Sequence, residues 1–229
     1  MKRNFNLINL FLIISVLIGD IFFILNGNFW VKTATSLGFV LIGIFSLIYA
    51  LKNKTLDKKF CIVMLVGLFF AMLGDVVIEL DFIIGAVLFA VGHVFYFVAY
   101  CFLISFKWTD LLAGAIIFVP STLFILLAPI FKFESSLMQI VCVVYAIIIS
   151  CMVGKSITNF IRTKNVLCLV VMIGSILFFI SDLMLLLRNF AHLGAIVRIL
   201  CLATYYPAEC FLAYSPMLTK KKDIENNKI

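Results

Sequence analysis

Asp75 ends the stretch GLFFAMLGD and Asp182 ends GSILFFISD. Each carboxyl group follows a glycine at the same spacing, inside a run of almost wholly oily side chains. A carboxylate at bilayer depth is costly, so such a group normally faces a bundle interior or a wet cavity. Two of them suit acid–base chemistry. A protonated carboxyl gives up a proton while an ionised one stabilises a cation or activates water, as in glycoside hydrolysis. Asp75 and Asp182 are therefore the candidate catalytic pair. The competing reading is structural, with each carboxyl hydrogen-bonded to a neighbouring helix.

Other polar residues stand in positions to join them. His93 and Tyr96 are three apart on one helical face, and Tyr100 extends that face. Tyr205 and Glu209 are four apart on another, with Tyr206 and Arg198 in the same segment. Lys32 opens an apolar run with Thr33 and Thr35 close behind. Lys32, His93, Tyr96, Arg198, Tyr205, Tyr206 and Glu209 are the candidate substrate-binding or positioning residues. Each has a plainer reading. His93 would be a hydrogen-bonded core residue, Lys32 and Arg198 would snorkel to the surface, and Ser181 would bond its own helix. Asp20 and Glu79 lie nearer segment ends, where hydration is cheap, and rank lower. His93, His192 and the two aspartates could hold zinc by residue type. Their spacing carries no metal signature, so neither metal nor cofactor is expected.

These residues must be positioned by membrane spans. The chain of 229 residues is 65% hydrophobic and only 13% charged, well away from soluble proportions. Apolar runs of roughly 18 residues or more are read as spanning helices. Eight are expected, at about 6–26, 31–51, 59–80, 83–105, 109–131, 136–160, 165–188 and 194–216. The opening run resembles a signal peptide but lacks a small-residue cleavage site, and is read as the first span. The fold class is thus all-α, a single polytopic membrane domain. Short polar breaks make sequential spans antiparallel.

An even number of spans puts both termini on one side. That side, from Lys2 through Lys155 to Lys221, Lys222 and Lys228, receives 14 of the lysines and arginines, against 4 opposite. The positive-inside bias places both termini in the cytoplasm. It also accounts for the net charge of +7 without nucleic acid. The seven cysteines lie in apolar segments with no CxxC pair, as small buried hydrophobes do. The stretch GAVLFAVGHVFYFVAYCFL aligns with GAIVRILCLATYYPAECFL. With the two Gly-to-Asp stretches, this suggests a parallel four-plus-four repeat with both aspartates at matching depth in the outer half.

VKTATSLGF, GLFFAMLGDVVIEL, GAVLFAVGHVFYFVAY, GSILFFISDLMLL and ATYYPAECFLAY together resemble the YhhN-type lysoplasmalogenase family. The matching pieces cover spans 2 to 4 and 7 to 8; spans 5 and 6 match only in hydrophobicity. The resemblance implies an eight-helix membrane enzyme that hydrolyses the vinyl-ether bond of lysoplasmalogens. The products would be a fatty aldehyde and a glycerophospho-alcohol, with Asp75 and Asp182 at the positions the family pattern suggests for catalysis. One departure is Glu209, which stands where the family usually has Gln. A lipid substrate and a bacterial plasma membrane are the expected partner and location. His93, Tyr96 and Tyr205 are expected to position water or the collapsing hemiacetal, and the polar head to lie near Lys32 or Arg198.

Two other classes compete. A small transporter or lipid-binding protein would use the same intramembrane carboxylates, and would often break corresponding spans with Gly or Pro. Pro120 and Pro129 are placed in span 5 without obvious partners in span 1. A purely structural membrane protein would use its polar residues only to hold helices together.

Overall fold

The computed structural model describes residues 2–191 and 193–220. Eight helices follow one another: α1 Lys2–Asn26, α2 Phe29–Lys52, α3 Lys58–Val77, α4 Phe82–Leu103, α5 Trp108–Leu127, α6 Ser136–Thr163, α7 Val166–Phe190 and α8 Ala195–Tyr214. A single 3-10 turn, Ser215–Leu218, closes the described chain. Every helix is long and apolar enough to cross a bilayer. The expected count and class therefore hold. His192, Lys221, Lys222 and Lys228, used above in the metal and charge readings, lie outside the described residues.

Local chemistry sets the boundaries. The carboxamide of Asn28 accepts from the Trp30 and Val31 amides to start α2. Asp81, Ser135 and Asn165 do the same for α4, α6 and α7. Several ends differ from the sequence reading by a few residues, and two of them move a residue singled out above. The third span stops at Val77, so Glu79 sits in the α3–α4 turn. The fifth stops at Leu127, because Pro129 forces the preceding Ala128 out of helical geometry, to ψ 122. Pro129 is therefore outside α5, while Pro120 and Pro207 are inside α5 and α8.

Sequential helices pack as hairpins except α4 and α5, and α8 lies against α1, α2, α3 and α7. Across the bundle, α4 and α7 both contact α6, whereas α5 has α6 as its one extensive partner. The interior is rich in aromatic rings: Phe39, Tyr96, Tyr100, Phe178 and Tyr206 are fully sealed. Many leucines and isoleucines are instead exposed on the outer surface, as lipid contact requires. Trp30 and Trp108 are 76% and 79% exposed and start helices at opposite ends of the bundle, where interfacial tryptophans belong. The Thr55 hydroxyl and the Leu56 amide both donate to the Lys220 carbonyl, so the end of the described residues lies on the face carrying the α2–α3 turn.

On that terminal face a buried cluster joins α5 to α6. The Asp110 carboxylate accepts from the Lys107 amide, Lys155 Nζ at 2.9 Å, Thr158 Oγ1 at 2.6 Å and Arg162. Lys155, counted above as an orientation charge, is fully buried and committed to this ion pair. Nearby the two helices touch backbone to backbone. A Cβ added at Gly154 would stand 2.8 Å from Gly114 Cα. Gly154→Ala must push α5 away from its one extensive partner, and is expected to cost about 1–3 kcal/mol. A thermal melt in detergent measures this; an unchanged midpoint would show that α5 is free to shift.

Candidate active site

Two cavities meet at the end of the bundle opposite the termini. A polar cleft of about 700 Å³, its open mouth included, is lined by Lys32, Asp75, Glu79, Asp182, Arg188 and Tyr205, among others. An apolar groove of about 680 Å³ runs between α4, α5, α6 and α7, past Ala86, Ile125, Cys142 and Ala146. Ile78, Phe82, Phe89, Leu185 and Asp182 line both. Asp182 is thus at the junction of an oily channel and a charged one.

The two candidate carboxylates enter the cleft from different networks. Asp75, at the end of α3, is 4% exposed. Its Oδ2 accepts from Ser36 Oγ at 2.5 Å and from the Tyr206 hydroxyl at 3.0 Å. Its Oδ1 is 3.1 Å from Lys32 Nζ, which also donates to Glu79 Oε1 at 2.7 Å. Lys32 therefore points inward, with its ammonium 5.4 Å from the Phe23 ring, and does not snorkel. Glu79 is a full partner in this network. Burial raises its carboxyl, but the charge and hydrogen bond of Lys32, with Arg188 and Arg198 farther off, hold it below the usual carboxylate range.

Asp182, on α7, is anchored through one oxygen. Its Oδ2 accepts from the Tyr145 hydroxyl at 2.6 Å and lies 3.2 Å from His93 Nε2. His93 Nε2 is also 2.7 Å from the Tyr145 oxygen, so the three groups form a closed triangle. The ring of His93 packs edge-on against Phe178 at 4.6 Å. Its Nδ1 has no partner among the described residues. Oδ1 of Asp182 makes no hydrogen bond to the described residues and is left for whatever enters the cleft.

The remaining candidates divide. Tyr206 reaches Asp75, but its neighbour Tyr205 does not. The Tyr205 ring walls the cleft while its hydroxyl approaches the Ala71 carbonyl at 3.4 Å. Successive residues on a helix point about 100° apart, so α8 aims only one of the two hydroxyls at Asp75, while the other meets α3 one turn earlier. Tyr96 is fully buried and donates to Glu209 Oε2 at 2.8 Å. Both groups lie outside the linings of the two cavities, and Glu209 Oε1 has no partner among the described residues. Of the three residues expected to position water, only His93 touches a candidate carboxylate. Arg198 lies with its guanidinium 5.3 Å from the Phe23 ring, outside the cleft lining and without an ion-pair partner among the described residues. Asp20 is buried on α1, its Oδ1 without a hydrogen-bond partner among the described residues.

Three functional contacts were missed from sequence. Ser36 was legible, being four residues after Lys32 and hence on its face. Tyr145 and Arg188 were not. Tyr145 is a lone hydroxyl in an oily helix whose partners come from α4 and α7. Arg188 was counted only as an orientation charge.

The sequence matches the YhhN family over residues 27–215, from the turn before α2 to the end of α8. No curated protein and no solved structure matches it.

Proposed function

The chain belongs to the YhhN family, and on that premise we propose that it is a lysoplasmalogenase-like hydrolase. It cleaves the vinyl-ether bond of alkenyl lysophospholipids, releasing a fatty aldehyde and a glycerophospho-alcohol. The observation that carries this reading is the meeting of the two cavities at Asp182. An amphiphile with its tail in the groove and its head in the cleft has its linkage beside that carboxyl.

In this reading Asp182 is the acid and Asp75 the carboxylate. Protonated Asp182 gives its proton to the alkene carbon distal to oxygen, and the ether carbon becomes an oxocarbenium ion. Asp75, ringed by Ser36, Tyr206 and Lys32, is the carboxylate that stabilises that cation. Water adds to the ether carbon and returns a proton to Asp182. The hemiacetal then collapses, its hydroxyl proton passing to the departing glycerol oxygen by way of the His93–Tyr145–Asp182 triangle. The net consumption is one water, and no cofactor takes part. Protonation at carbon is the step for which a positioned acid helps most.

Transport is less well supported. Below the cleft, Phe178, Tyr96 and Tyr100 are fully sealed, which favours a closed pocket over a through-path. With the termini in the cytoplasm, the cleft opens toward the outer leaflet.

The test is aldehyde release from a 1-alkenyl lysophospholipid by purified protein in D2O, with the aldehyde trapped by reduction. One deuterium at the carbon next to the carbonyl, and no product from the 1-alkyl analogue, are expected. Aldehyde without that deuterium would exclude protonation at carbon. No aldehyde at all would exclude the reaction.

A further inference from the structure

We propose that Arg188 binds the phosphate of the lipid head group, an inference that rests on the lysophospholipid reading above. Lys32, one of the two cations expected near the head group, is already committed. One ammonium holds two carboxylates, Asp75 at 3.1 Å and Glu79 at 2.7 Å. Arg198 stands outside the cleft lining against Phe23. Arg188 lines the cleft and has no carboxylate within ion-pair distance among the described residues. Glu79 feels its charge from farther off but bonds Lys32. The adjacent Asn189 has its amide nitrogen on the Leu185 carbonyl and is not assigned a role.

Position and chemistry agree with this. Arg188 follows Asp182 on the same helix by six residues, about 9 Å along the axis. Three glycerol carbons separate a vinyl ether at one end from phosphate at the other, and the flexible arginine stem covers the remaining gap. The planar guanidinium fork matches a phosphate with two parallel hydrogen bonds. The lipid would then be held at three points: tail in the groove, linkage at Asp182, phosphate at Arg188. Arg188 also sits in the last turn of α7, where a cation complements the helix dipole. That role would be indifferent to whether the ligand carries phosphate, which makes the two separable.

The experiment compares wild type, Arg188→Gln and Arg188→Lys on a 1-alkenyl lysophospholipid and on 1-alkenylglycerol, which lacks phosphate. For Arg188→Gln the KM for the phospholipid is expected to rise roughly tenfold or more, with kcat within about twofold and the alkenylglycerol kinetics unchanged. Arg188→Lys should keep part of the preference, since it retains charge but loses the fork. Equal losses on both substrates, or none on either, would overturn the assignment. If wild type cleaves neither, binding of the uncleavable 1-alkyl lysophospholipid and 1-alkylglycerol decides the matter separately from the enzymatic reading. A phosphate-dependent preference that Arg188→Gln removes upholds the subsite; equal affinities refute it. Inorganic phosphate that binds as tightly as the lipid would assign Arg188 to a free anion and refute the head-group role.

Discussion

Asp182→Asn is expected to lower aldehyde release by roughly 10²–10⁴-fold, the usual contribution of a positioned acid or base. The variant keeps the size of the side chain and an oxygen for the Tyr145 hydroxyl, which now donates at 2.6 Å. Folding should therefore survive, and a thermal melt in detergent should stay within a few degrees of wild type. What is lost is the proton that must reach the alkene carbon. Asp75→Asn should fail to a similar extent for another reason. It removes the charge that offsets the oxocarbenium ion, and leaves Lys32 paired only to Glu79. The two variants differ in what they leave behind: the His93–Tyr145 contact at 2.7 Å is untouched in the second and perturbed in the first. Wild-type turnover in either folded variant would remove that aspartate from the mechanism.

Lys32→Met should be the most destabilising single change around the cleft. Lys32 is 2% exposed and sits between two carboxylates. Removing one partner of a buried pair costs about 3–5 kcal/mol, because the remaining charge is left uncompensated. Glu79 is a third exposed through its side chain and can turn to water, so most of the cost falls on Asp75. Asp75 would keep only the hydroxyls of Ser36 and Tyr206. Activity should fall with stability, since Asp75 would lose the ammonium that holds its Oδ1. The double variant Lys32→Met/Asp75→Asn separates these effects. It should regain most of the lost stability and none of the activity, a coupling that a double-mutant cycle reads directly. Additive losses would mean that Lys32 acts through something other than Asp75.

Much of the fold could be read before any coordinates. Eight spans follow from runs of oily residues, and four of the helices start at Asn28, Asp81, Ser135 and Asn165, whose side chains cap them. Errors fell where a local rule was overlooked. Pro129 ends α5 through the residue before it, and Glu79 lies past the last turn of α3. Asp75 and Asp182 stood out because a carboxyl in an oily run has few reasons to be there, and both do reach one cleft.

Partnerships between helices could not be read in the same way. Spacing of three or four residues says which side chains share a face; it joined His93 to Tyr96 and could have joined Lys32 to Ser36. It says nothing about which foreign helix that face meets. The choice of Tyr206 over Tyr205 for Asp75, the arrival of Tyr145 at Asp182, the diversion of Tyr96 to Glu209 and the pairing of Lys155 with Asp110 all depend on how neighbouring helices are rotated and how closely they approach. Membrane insertion needs only that each segment be oily and satisfy its own backbone, a property written into consecutive residues. The candidate cleft needs side chains from α2, α3, α4, α6, α7 and α8 within a few ångströms of one another, and that is settled only when the helices pack.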